Sequence, residues 1–352
     1  MSNTALSNTF FFNDELKESI FNTISSNSIN SLIISGPEGL GKTNFIINLS
    51  KFILCELENE NSLNLSKLKK SKNTFDNIIK NKSFYLFDNG SHPDFFHLKN
   101  TIENLGKKIP IDDVRKLKSF FHKTVSVSKT KVAVINKIED LTINSLNSLL
   151  KTIEELPENS YIFIISNKPI NIIETIKSRC ALFYINSLNE IDFNYFIEKN
   201  FSNLSFEETS FLSSISNGSP GLAKKLIDNK TYNVYDNFLD DIINYHASTL
   251  FLEKINNLLS VNEKNNAFLF SSFQLIINDL IKKSTFYLNT KKFFDFTLTK
   301  EKTLIKLILN HNNGLKLLNL HSKFDKYMNS ADLVNLNKSE IIIDTLKDLF
   351  GK

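Results

Sequence analysis

Apolar positions divide the chain into two regimes. Over residues 1–185 short apolar runs alternate with stretches of helical period. The runs are Ser31-Leu-Ile-Ile-Ser35, Lys131-Val-Ala-Val-Ile135 and Tyr161-Ile-Phe-Ile-Ile165. Each is too short for a buried helix and apolar at successive positions, so it predicts a strand covered on both faces. Between them, Lys42 to Glu56 places Phe45, Ile46, Leu49, Phe52 and Ile53 at helical spacing. Thr142 to Glu155 does the same with Leu146, Leu149, Leu150 and Ile153, and Thr142 is the expected N-cap. Strands alternating with helices predict an α/β domain built on a parallel sheet.

From about Asn186 the strand signal stops. Leu188 to Leu226 reads as a small helical unit whose last helix opens at Gly218-Ser-Pro-Gly221. From Tyr232 onward the period is helical almost throughout, most clearly over Phe268 to Ile281. The expected domains are therefore an α/β domain at 1–185, a helical lid at 186–230 and an all-helical domain at 231–352. The polar stretch Glu56 to Asn89 reads as an exposed insertion or an irregular helix. Its Lys67-Leu-Lys-Lys-Ser-Lys72 run is expected to be a solvated face.

Composition adds little to this picture. Apolar residues are 41% and charged residues 23% of the 352, ordinary for a globular chain. Nothing reaches the uninterrupted apolar length of a membrane helix, and the first residues lack a basic start with an apolar core, so neither membrane nor secretion is expected. Cys55 and Cys180 are expected to be thiols in a reducing cytoplasm. A net charge of +4 permits contact with DNA without arguing for it. The basic residues are more telling. Of 42 Lys plus Arg only Arg115 and Arg179 are arginine, so a position that keeps a planar five-donor cation is marked for attention.

Gly36-Pro37-Glu38-Gly39-Leu40-Gly41-Lys42-Thr43 fits G-x-x-x-x-G-K-[ST] between a strand and a helix. The glycines let backbone N–H groups turn toward phosphate oxygens, and the helix N-terminus adds positive potential. Lys42 would meet the β- and γ-phosphates of ATP or ADP, and Thr43 would ligate Mg²⁺. The acidic pair that should end a later strand is missing: Asn136 and Lys137 follow Val132-Ala-Val-Ile135. An amide is a poor metal anchor, and a lysine repels the metal and cannot position water as an acid. Glu139 and Asp140 lie past the strand end, in the turn before Thr142. Nucleotide binding with defective hydrolysis is the expectation.

His92-Pro-Asp-Phe95, Ile111-Asp-Asp-Val-Arg115, Asn147 to Glu155 and Ser178-Arg179-Cys180 follow the P-loop in that order. With it they resemble the delta-prime subunits of bacterial DNA polymerase III clamp loaders, an AAA+ family, over residues 30–226. Beyond that the chain matches only as a helical domain. The resemblance implies a P-loop AAA+ domain, a helical lid and a helical collar. It also implies a role in replication within a hetero-pentameric ring, with gamma/tau and delta subunits as partners and the sliding clamp and primed DNA met through the complex. It makes Arg179 an arginine finger for a neighbour's ATP site, and it places Asn167 at the sensor 1 position. The sensor 2 arginine falls on Gly221, with Lys224 a partial substitute. With Cys55 the only cysteine near the P-loop helix, the family's four-cysteine zinc module cannot form, so no zinc is expected. Arg115 reads equally as a partner of Asp112 or Glu139 or as a functional residue. The competing readings are an active gamma/tau-like ATPase and a DNA-binding P-loop regulator.

Overall fold

The structure, a computed structural model, describes residues 14–26, 29–56, 82–99, 108–167, 174–201, 203–246, 248, 250–260, 266–294, 297–334 and 336–351. The Lys67–Lys72 run and most of the insertion expected at 56–89 lie outside them. The chain folds as two compact units, Met1–Ser187 and Leu188–Lys352.

The first unit runs α1 (Asp14–Ser25), β1 (Ser31–Ser35), α2 (Lys42–Glu56), α3 (Lys82–Asp88), β2 (Phe95–Leu98), α4 (Ile111–His122), β3 (Lys131–Ile135), α5 (Ile143–Glu154), β4 (Ser160–Ser166), α6 (Glu174–Lys177) and β5 (Ala181–Tyr184). The five strands form one sheet in the order β2-β3-β4-β1-β5, and every pairing is parallel. The three predicted strands are its centre. All of β1, β3 and β4 is buried, as parallel strands with helices on both faces must be. β2 and β5 are the edges, short and largely half-buried.

Strand residues alternate between two cores. On one face Leu32, Ile34, Val132, Val134, Phe163 and Ile165 pack against Ile20 and Ile24 of α1 and Phe45, Ile46, Leu49 and Ile53 of α2. On the other, Ile33, Ala133, Ile135, Ile162 and Ile164 meet Val114, Leu117 and Phe121 of α4 and Leu149 and Ile153 of α5. The period of two along each strand thus sorts side chains to opposite layers. α5 starts where its cap residue sits: Thr142 Oγ1 accepts from the Ser145 N–H at 3.1 Å, a cap interaction of about 1 kcal/mol.

The second unit is helical throughout its described residues: α7 (Glu190–Asn200), α8 (Phe206–Ile215), α9 (Pro220–Asp228), α10 (Thr231–Tyr245), α11 (Leu250–Ser260), α12 (Asn266–Thr290), α13 (Thr299–His311), α14 (Gly314–Val334) and α15 (Lys338–Phe350). Ser205 and Glu208 form a reciprocal capping box at α8, and Ser219 with Pro220 opens α9. A charged cluster lies inside this unit. Lys283 Nζ is 2.7 Å from Asp279 and 2.8 Å from Glu301, Tyr235 donates to Glu301, and Ser214 Oγ donates to Asp279 at 2.7 Å. Burial works against the Lys283 charge, but the two carboxylates outweigh it and hold its pKa above the usual range. Four helices (α8, α10, α12 and α13) therefore share one polar bracket. The cost of taking these charges out of water offsets much of their attraction, so the cluster adds little net stability. Among the described residues no helix is long and apolar enough to cross a membrane.

Candidate nucleotide site

Parallel strands deliver their carboxyl ends to one edge of the sheet, where α/β folds place ligands. The P-loop follows β1, Asn136 follows β3 and Asn167 follows β4 at that edge. The Gly36 N–H donates to Ser166 O at 3.2 Å and the Ile185 N–H to Ser35 O at 2.8 Å, so both neighbouring strands grip the start of the loop. A Cβ on Gly36 would stand 2.3 Å from Ile185 O, a distance only glycine avoids. Gly39 and Gly41 take φ of 88° and 82°, the left-handed region that costs other residues energy.

Lys42 opens α2 and is 4% exposed. Its ammonium turns back over the loop and donates to Gly36 O at 2.7 Å and Pro37 O at 2.5 Å. Burial lowers its pKa to about 8, with Glu38 and Glu139 opposing the shift and Lys137 adding to it. The ammonium thus sits in the cradle where an anion would bind. Phosphate binding needs it protonated, so nucleotide affinity should be steady below pH 8. Above that pH the free chain must take up a proton to bind, and affinity should fall by up to about tenfold per pH unit. A titration of nucleotide affinity that stayed flat to pH 9.5 would contradict this.

The strand end is occupied by neutral and cationic groups. Thr43 Oγ1 donates to Asn136 Oδ1 at 2.9 Å. Lys137 stands in the left-handed region at φ 62°, and its ammonium lies 3.4 Å from Glu38 of the P-loop. Beyond it, a 3-10 turn at Ile138–Asp140 carries Glu139 back to the sheet edge. Glu139 Oε1 accepts from Ser166 Oγ and from the Asn167 N–H at 2.9 Å. The sequence places Glu139 past the strand end, in the turn before Thr142. The backbone reversal at Lys137 brings it back, near enough to act on Lys42. Both bonds fall on Oε1, so one oxygen of this carboxylate holds the end of β4. The cradle fits phosphate. The donor set does not fit Mg²⁺, which favours ionised oxygen ligands in octahedral array.

Arg179 lies at the other end of the sheet. Ser31 Oγ, at the amino end of β1, donates to Arg179 O at 2.7 Å, while the P-loop follows the carboxyl end of that strand. At about 3.3 Å per residue the five residues of β1 separate them by roughly 15 Å. Arg179 therefore cannot serve its own chain's P-loop. Its side chain is 39% exposed, and its guanidinium is 2.7 Å from Glu154 Oε1 and donates to Thr175 O at 2.9 Å. Cys180 beside it is buried, which pushes its thiol pKa up to about 11, so it anchors the turn and is not reactive. Arg115 forms an exposed pair with Asp112 at 2.9 Å. Lys224 is exposed on α9 and Gly221 is in its first turn.

Two residues that the sequence marked only as part of a motif are structural brackets. Asp94 is fully buried. Its Oδ1 accepts from the Ser126 N–H at 2.8 Å, and its Oδ2 from the Val127 and Ser128 N–H groups at 2.7 and 2.9 Å. His92 Nδ1 accepts from the Asp94 N–H at 3.1 Å, and its Nε2 meets Ser128 Oγ at 3.3 Å. Ser128 in turn donates to Leu54 O, near the end of the P-loop helix, at 3.0 Å.

Residues 12–189 match the family described as DNA polymerase III, delta subunit. The chain is 26% identical to the DNA polymerase III gamma subunit of Buchnera aphidicola subsp. Schizaphis graminum over 247 residues, 69% of this chain and 60% of that protein. It is 36% identical to the delta' subunit of Pseudomonas aeruginosa over 100 residues, 28% of this chain and 30% of that one. Against the delta' subunit of the same Buchnera it is 26% identical over 320 residues, 88% and 80% of the two chains. The chain thus spans under two thirds of the first two of these relatives. A solved structure, a DNA polymerase III gamma subunit-related protein from Thermotoga maritima, is covered over 98% of its length and 95% of this chain at 16% identity and a TM-score of 0.42.

Proposed function

The chain belongs to the DNA polymerase III delta-subunit family, and from that membership we propose that it works as a delta-prime-type subunit of a clamp loader in DNA replication. Gamma/tau and delta subunits would be its neighbours in a cytoplasmic five-membered ring. The sliding clamp and primed DNA would be met through the assembled complex. In this role the chain binds ATP or ADP, hydrolyses little or none, and offers Arg179 to a neighbour.

One observation carries this reading: a complete P-loop facing a strand end without its carboxylates. Glycines, Lys42 and the start of α2 supply what holds phosphate. Asn136 and Lys137 withhold the ionised groups that activate water and steady a metal. Glu139 does not stand in their place: it comes from the 3-10 turn beyond the strand end, and its Oε1 accepts from Ser166 and Asn167. The Arg179 placement supports a role outside the chain, because it faces away from the chain's own site.

The expected result is nucleotide binding by the purified chain, lost or much weakened in Lys42→Ala, with turnover at background. Calorimetry measures the first and phosphate release the second. Turnover by the isolated wild-type chain at roughly one per second, an ordinary enzyme rate, would make the chain a motor subunit and end the proposal. Co-purification of the native complex tests the partners directly. Isolation without gamma/tau- or delta-type chains would count against the ring.

A further inference from the structure

We propose that this P-loop holds its nucleotide without a divalent metal, and that the Lys137 ammonium supplies the positive charge a metal ion would bring. The inference rests on the reading of the P-loop as a nucleotide site and concerns how that site balances phosphate charge.

Three contacts lead to it. The two oxygens best placed for a cation beside the loop, Thr43 Oγ1 and Asn136 Oδ1, are bonded to each other at 2.9 Å, and neither is ionised. Mg²⁺ gives up its water reluctantly and is bound through carboxylates plus phosphates; a hydroxyl and an amide are weak compensation. The carboxylate that the backbone returns to the site, Glu139, holds Ser166 Oγ and the Asn167 N–H through Oε1. Drawing Oε1 to a metal would release the end of β4, the same strand end whose Ser166 O holds Gly36. Finally, the position after Asn136 carries a cation that is already at the loop. Lys137 holds φ 62°, a conformation non-glycine residues adopt at a cost, and the result is an ammonium 3.4 Å from Glu38, the third residue of the P-loop.

Charge decides the rest. A metal ion bound near Lys137 would meet its repulsion while Thr43 and Asn136 offered it only neutral oxygens. Phosphate meets the opposite: Lys42 inside the cradle and Lys137 at its rim are both attractive. The Lys137–Glu38 pair is partly exposed, and such pairs are held weakly. The ammonium is therefore available to exchange Glu38 for a phosphate oxygen, and its three donors on a flexible stem suit that task.

The test is calorimetric titration of ADP and ATP into the full chain, once in millimolar EDTA and once in millimolar MgCl₂. Affinities should agree within about threefold in the two buffers. Lys137→Gln should weaken binding in EDTA by about tenfold or more, as loss of a charge-assisted hydrogen bond does, and Lys137→Arg should retain most of it. The double substitution Asn136→Asp with Lys137→Glu restores a carboxylate pair and should make binding fall when EDTA is added. Melting curves confirm that each variant is folded, and the Arg variant controls for the unusual backbone. A wild-type chain whose binding collapses in EDTA overturns the inference and leaves the nucleotide site standing, as does full affinity in Lys137→Gln. Absence of binding in both buffers overturns the nucleotide reading together with the inference.

Discussion

Asp94→Ala should lower the stability of the chain by about 3 kcal/mol, measured as a shift in the urea midpoint at constant slope. Its carboxylate is fully buried and is the acceptor for three consecutive backbone N–H groups, at Ser126, Val127 and Ser128. Alanine leaves all three without an acceptor. A buried polar group stripped of its partner costs about 1–3 kcal/mol. Ser126 is exposed and Ser128 is buried, so water can replace part of the loss at one end of the row and little at the other. Asn in place of Asp can turn its one oxygen toward Val127 and Ser128 and keep two of the three contacts. It should therefore cost roughly half as much. The site is not isolated. The Val132 N–H donates to Asp94 O at 3.0 Å, fixing the entry of β3, and Ser128 reaches both His92 and Leu54. Hydrogen exchange should accordingly quicken at β2, β3 and the end of α2 before it does elsewhere. A loss below about 1 kcal/mol, within the range of ordinary surface changes, would show that the bracket is dispensable.

The bracket also shows what a sequence does and does not disclose. His92-Pro-Asp-Phe95 is visible as a motif, but the partners of Asp94 lie 32 to 34 residues further on, and backbone donors carry no residue signature. The three central strands were legible because burial on both faces leaves continuous apolar runs. β2 and β5 were not. As edge strands they are half-buried, four residues long and mixed in character, so neither period stands out. The P-loop was legible in full because its chemistry demands particular residues at fixed spacing. The return of Glu139 was hidden for a related reason: the turn that produces it hinges on a lysine at positive φ, and lysine is not a residue that announces such a turn. In the helical unit the periodicity disclosed helices, while the contact of Tyr235 with Glu301 spans 66 residues and only the fold reveals it.

Arg179→Ala should leave the chain folded and able to assemble, with the damage confined to ATP turnover and clamp loading by the reconstituted complex. The guanidinium is held at the surface by Glu154 and Thr175 O, at the end of the sheet away from its own P-loop. A half-exposed ion pair of this kind is worth about 0–1 kcal/mol. That is little beside the roughly 10³- to 10⁵-fold that an arginine finger contributes to turnover, so the pair can open when a neighbour's phosphate is presented. Other sites in the ring would retain their own fingers, and total turnover should fall only in part. Arg179→Lys should be almost as damaging as alanine, because an ammonium lacks the planar two-pronged donor set. Glu154 separates this role from that of a brace. If Arg179 acts on a neighbour, Glu154→Ala frees it and turnover of the complex should hold or rise. If the pair instead holds α5 to the turn before β5, Glu154→Ala and Arg179→Ala should lower the melting temperature of the isolated chain alike and leave turnover per assembled complex unchanged. Melting of the two variants beside the ATPase of complexes built from them decides between the outcomes. Equal melting losses with intact turnover would reduce Arg179 to a surface tie.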